Sequence, residues 1–137
     1  MRTKVKHALF ITLSGAFMLA ACQKTSFEER VEKEVSEFNQ RDAGRRIDEY
    51  TIMDSMSFDA STLTLGYHYT LEGEADDSTL ITGELRQKNR ESLLGNIRGS
   101  IAMREYKEQG CTFLYVYSSR RTGRVMMKEE ISPKDYR

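Results

Sequence analysis

Tryptophan is absent, proline occurs once (Pro133), and cysteine and histidine occur only twice each. No Gly-x-Ser-x-Gly stretch is present. The chain therefore lacks the strand-to-helix turn on which many hydrolases raise a nucleophilic serine. Neither sign of charge dominates, with 21 basic and 21 acidic residues. No apolar run is long enough to cross a membrane. The uncharged segment Ala8–Ala21 falls short of the roughly 20 apolar residues that span about 30 Å of hydrocarbon, and it includes Thr12, Ser14 and Gly15. No low-complexity stretch interrupts the remainder.

What is present begins with a basic start. Arg2, Lys4 and Lys6 precede the short apolar segment, which ends in small residues. That order is the mark of a secretory signal peptide. Leu19-Ala20-Ala21-Cys22 resembles the bacterial lipobox. The resemblance implies cleavage before Cys22, a diacylglyceryl thioether on its sulfur and often an acyl group on the new amino terminus. One acyl chain holds a protein only marginally, whereas two or three make a stable anchor. The expected organisation is a signal peptide over 1–21, a lipidated tether over 22–25 and a single domain over 26–137, with the membrane as a partner through Cys22. Residue 23 is Gln rather than Asp, which points to an outer-membrane destination facing the periplasm.

Removal of residues 1–21 takes away three basic and no acidic residues, leaving 18 basic against 21 acidic residues and a net charge of −3. A mildly acidic domain has no electrostatic footprint for nucleic acid. Cys111 then has no partner in the chain, and it opens the apolar run Cys111–Tyr117. It reads as a buried small hydrophobe, since free cysteine is among the most buried residue types. His68 is the sole histidine outside the signal segment. No zinc pattern remains, and no cofactor is expected. About 115 residues suffice for one core, with disorder expected mainly at the lipidated end.

The pattern predicts a helix from Ser26 to about Gln40. Ser26 and Glu29 fit a capping box, and Phe27, Val31, Val35 and Phe38 share one face. Tyr50–Phe58 then alternates with a period of two, except at Asp54. Either Asp54 sits at a rim or a bulge, or the strand starts after it. Leu63, Leu65, Tyr67, Tyr69 and Leu71 alternate cleanly, so the two runs should form an antiparallel hairpin. Asp76, Asp77 or Ser78 can cap a second helix. Ile81 and Leu85 start its apolar face, while Leu94, Ile97 and Ile101 sit on a rotated one, so a bend or break is expected near Ser92 or Gly95. Met103–Gln109 reads as a further helical turn ended by Gly110. Cys111–Ser118, the turn Arg120–Gly123 and a strand through Val125, Met127 and Ile131 form a second hairpin, which Ser132-Pro133 ends. The expected fold is α+β, ordered helix-hairpin-helix-hairpin. It would be a four-stranded antiparallel sheet with the helices on one face, its other face carrying Thr, Ser, His68 and charged residues.

Catalytic candidates are few. His68 lies in mid-strand, away from the sharp turn that a serine–histidine pair needs, and reads as a strand histidine. Asp76/Asp77 and Glu129/Glu130 are adjacent carboxylates, but neighbours in a strand point to opposite faces, and caps or edges explain them better. Arg120, Arg121 and Arg124 make a basic turn able to touch an acidic partner or lipid head groups, and with His68 on the open sheet face they are the candidate partner contacts.

Asp48-Glu49-Tyr50-Thr51, Asp54-Ser55-Met56, Leu65–Leu71, Gly110, Tyr115-Val116-Tyr117 and Ile131–Tyr136 together resemble a widespread group of small exported bacterial proteins and lipoproteins. That resemblance implies an envelope location and the order of elements, and it carries over no functional residues. The expected role is a non-enzymatic binding or scaffolding module acting on another envelope protein. The alternative is a periplasmic inhibitor or immunity-type protein that blocks a hydrolase through the Asp59–Ser61 and Arg120–Gly123 turns. An enzyme would require a deep pocket around His68 with a perturbed carboxylate beside it.

Overall fold

The computed structural model describes residues 24–137. Cys22 and the signal segment lie outside the described residues. Helix α1 spans Phe27–Arg41, and both halves of its capping box form: the Ser26 hydroxyl accepts from the Glu29 amide, and the Glu29 carboxylate accepts from the Ser26 amide. Strands β1 (Arg45–Arg46), β2 (Thr51–Asp59) and β3 (Thr64–Leu71) follow. Two short 3₁₀ turns lead into α2 (Gly83–Gly99) and α3 (Arg104–Glu108). Strands β4 (Thr112–Ser119) and β5 (Val125–Ile131) and a terminal turn of helix, α4 (Pro133–Tyr136), complete the chain.

The sheet corrects the expected architecture. It has five strands in the order β1-β2-β3-β4-β5, and the central pair β3–β4 is parallel. It is therefore a mixed sheet, not a four-stranded antiparallel one. The chain is also not a simple helix-hairpin-helix-hairpin, because α3, α4 and β1 add to the order. The reason lies in the connection between β3 and β4. A 17-residue α2 rises about 25 Å at 1.5 Å per residue. Eight residues of β3 cover about 26 Å. The helix thus returns the chain along the length of the sheet, and a strand that follows such a crossover lies parallel to its neighbour.

Two local expectations also change. The cap of α2 is Thr82, whose hydroxyl accepts from the Leu85 amide; Asp77 caps a 3₁₀ turn instead. The helix is continuous through Ser92 and Gly95. Asp54 falls at a bulge, where the β2–β3 register shifts between Met53 and Ser55, so the carboxylate can accept from Thr70 Oγ1 without breaking the pairing. Pro133 both ends β5 and occupies the first turn of α4, where its missing N–H costs nothing.

One face of the sheet carries the core. Leu65, Phe113, Tyr115 and Ile131 pack there against Val31 and Val35 of α1 and Ile97 of α2. The parallel register sets Tyr67 beside Tyr115 and Tyr69 beside Tyr117, and each pair stacks at 5.0 Å. Burial raises the Tyr69 phenol to about 12. The outer edge of β2, beyond the two residues of β1, is closed by Asn39. Its Oδ1 accepts from the Met56 amide and its Nδ2 donates to the Met56 carbonyl, both at 2.8 Å. An amide that imitates a strand in this way blocks edge pairing.

At the other edge, Arg90 of α2 donates to the Glu130 carbonyl and pairs with Glu129 and Asp135. This pairing explains Glu129, whose polarity breaks the alternation of β5. Asp135 also accepts from the Ser132 amide at 2.7 Å, the foremost cause holding its pKa below the ordinary carboxylate value; the Ser132 hydroxyl and Arg90 add to it. A depressed folded-state pKa contributes stability above the unfolded value, near 4. That contribution is lost as pH falls through the folded value. Asp135→Asn should therefore lower the melting temperature at pH 7 and narrow its gap from wild type as pH drops from about 5 to 2. Melts at stepped pH would check this, and a gap that stays constant with pH would refute it.

Candidate functional site

Beyond the carboxyl ends of β3 and β4, the chain builds a cleft. Gly73 adopts a φ of +59°, a region open to glycine at little cost, and starts the turn that carries Asp76. The hairpin tip between β4 and β5 is stitched to this turn. The Arg121 amide donates to Asp76 Oδ2 at 2.8 Å, its guanidinium donates to the Asp76 carbonyl at 3.2 Å, and the Arg120 amide donates to the Leu71 carbonyl. Between the tip, the turn and α2 lies a space of about 390 Å³ lined by Arg86, Arg121, Arg124 and Asp76. Arg86 is placed by donating to the Met126 carbonyl at 3.2 Å.

The cleft is electropositive. Among the described residues Arg86, Arg121 and Arg124 form no ion pair within 4.0 Å. Asp76 lies below the ordinary carboxylate range because the Ser119 side chain and the Arg121 amide stabilise its charge. Asp77 feels Arg121 too, but its carboxylate is occupied by the Thr79 amide and hydroxyl. Three guanidiniums thus face one lining carboxylate.

A second hollow of about 230 Å³ adjoins it, sharing Ile81. Leu71, Tyr117 and Met127 form its floor and Leu80 and Leu85 its wall. Asn89 also lines it. Its amide touches the Tyr117 phenol closely enough to oppose the upward effect of burial on that group, yet Nδ2 lacks a partner of good hydrogen-bond geometry. Leu80, Leu85 and Val125 remain 51%, 40% and 58% exposed. Among the described residues, three of the five large apolar side chains most open to water therefore rim this one end of the sheet.

The residues singled out from sequence divide accordingly. Arg121 and Arg124 line the cleft, whereas Arg120 turns toward Glu72 at 4.0 Å. His68 lies on the sheet face opposite the stacked tyrosines, with its Nε2 2.9 Å from Ser57 Oγ. Ser57 is in mid-strand, so the pair lacks the sharp turn of a nucleophilic serine, and the structure does not bring it to the arginines. Cys111 is fully buried, and burial raises its thiol to about 11, which suits packing rather than reactivity. Among the described residues no cluster of three His, Cys, Asp or Glu side chains could hold a metal ion, and no helix is long and apolar enough to cross a membrane. Arg86 and Leu80 escaped the sequence reading. The available signal was that Leu85 falls off the face of Leu94 and Ile97; it lines the hollow rather than the core, together with Ile81, which precedes the Thr82 cap and so does not start the apolar face of the helix as expected.

A family model described as a domain of unknown function (DUF8479) matches residues 26–127. No curated protein matches the chain. Among solved structures, a candidate secreted protein of Pseudomonas aeruginosa aligns with a TM-score of 0.67 and 14% identity, covering 83% of this chain and 100% of that one. The pilotin of the Vibrio vulnificus type 2 secretion system aligns with a TM-score of 0.53 and 12% identity, covering 80% of this chain and 94% of that one. At such identities the likeness is one of fold.

Proposed function

This chain belongs to the DUF8479 family, and we propose that it is an envelope lipoprotein, held through Cys22, that binds or scaffolds another envelope protein without catalysing a reaction. The carrying observation is the fold shared with a candidate secreted protein and a pilotin, joined to a basic start, a short apolar segment and Leu19-Ala20-Ala21-Cys22. The outer membrane, facing the periplasm, is the proposed location. The electropositive cleft beside an apolar hollow supports the reading, because such mixed surfaces suit recognition of a partner chain.

The test is crosslinking in cells of the native lipoprotein, followed by purification and mass spectrometry, with a Cys22→Ala chain as control. One envelope protein enriched with the native chain and lost from the control is the expected result. Turnover of an envelope substrate by the purified protein, abolished by a single substitution, would overturn it.

A further inference from the structure

The arginine cleft and the apolar hollow share Ile81 and one rim, so a ligand can occupy both at once. We infer that together they form the docking site for a short segment of a partner protein, one that seats an apolar side chain on Tyr117 and Met127 and lays an acidic side chain against Arg86, Arg121 and Arg124. This rests on the proposed function and specifies its contact surface.

The charge argument comes first. Guanidiniums that donate only to backbone carbonyls, as Arg86 and Arg121 do, keep their full positive charge and further N–H groups for a planar carboxylate. Arg124 makes no side-chain hydrogen bond or ion pair among the described residues. The apolar rim adds the second requirement, since Leu80 and Leu85, which wall the hollow, would be covered by an apolar side chain and leave water on binding.

Placement favours a protein over the bilayer. The tether enters α1 at Ser26, and Phe27 packs against Tyr106 and Phe58, which lie at the end of the sheet where β3 and β4 begin. The cleft is at the opposite end, past Leu71 and Ser119. The length of β3 separates the two by about 26 Å. With only residues 22–25 between anchor and helix, the cleft points away from the membrane that holds Cys22.

A photo-crosslinking residue at position 125 in the full-length lipoprotein, expressed in cells, tests this, with the same residue at position 47 or 101 as the comparison. Ile47 and Ile101 are 53% and 78% exposed and lie outside both hollows. The expected result is a protein crosslink from position 125 whose mapped segment contains an apolar residue flanked by Asp or Glu. Its yield should fall about tenfold in Arg124→Glu, because reversing a rim charge acts on association. The Arg124 side chain holds no hydrogen bond or ion pair among the described residues, so that chain should keep its circular dichroism spectrum; Arg86→Gln is the second variant. A lipid adduct from position 125, a mapped segment without acidic residues, or yields unchanged in both variants would overturn the inference. Protein crosslinks from position 47 or 101 with none from 125 would refute this site while leaving the proposed function standing. No protein crosslink from any position would count against both.

Discussion

Replacing Cys22 with alanine, in a chain whose signal segment is cleaved elsewhere, should move the protein almost wholly from the membrane pellet to the soluble fraction. The expected size of the effect follows from the anchor. Each buried methylene contributes about 0.8 kcal/mol, so a single acyl chain holds only reversibly, while two or three hold stably. Nothing else described in the chain replaces them. No helix among the described residues is long and apolar enough to cross a membrane, and the basic cleft lies at the end of the sheet remote from the tether. Washing membranes with high salt separates the two modes of attachment, because surface electrostatics are screened within about 10 Å at 0.1 M. The native protein should resist salt and enter the detergent phase. A Cys22→Ala chain that has lost its signal segment and still stays in the pellet after the salt wash would refute lipidation as the anchor.

Phe113→Ala should cost about 3–5 kcal/mol, the usual range for a large-to-small change in a packed core, and lower the melting temperature by roughly 10–20 °C. Phe113 is among the largest side chains wholly removed from water. It stands beside Leu65 in the parallel register and opposite Ile131 in the antiparallel one. Its ring meets Tyr136 edge-on at 5.8 Å, and the Tyr136 hydroxyl donates to the Cys111 carbonyl at 2.7 Å. Truncation therefore opens a cavity where β3, β4, β5 and α4 meet, and α4 loses the ring that seats it. Val116, three residues on, points to the other face of the sheet and is half-buried; Val116→Ala should cost about 1 kcal/mol or less. Equilibrium denaturation in urea distinguishes the two. Equal losses would mean that the core does not lie on the Phe113 face.

How far the sequence was legible follows from what periodicity measures. A capping box, a clean alternation and an apolar helical stripe are local, so Ser26, Leu65–Leu71 and Val31/Val35 announced themselves. The bulge at Asp54 was legible as one of three alternatives, and pairing decided it. The helical turn Pro133–Tyr136 carried a readable signature, serine followed by proline and then aspartate at the third helical position. The proline was read only as the end of a strand.

Strand neighbours are a different matter. Alternation says that Tyr67 and Tyr115 each point toward a core, and it is silent on whether their strands run the same way. That depends on the length and course of residues 72–111, and α2 spans the sheet from end to end.

The candidate site follows the same division. By itself the sequence determined the types of the longer elements, the burial of Cys111 and the basic turn at Arg120–Arg124, because each is written in neighbouring residues. Only the tertiary structure placed Arg86 and Val125 beside Arg121 and Arg124 in one cleft and set Leu80 and Leu85 around the adjoining hollow. Those residues lie up to about 45 positions apart, and only the return of the chain through α2, with the hairpin tip folding back onto Asp76, brings them to the same end of the sheet.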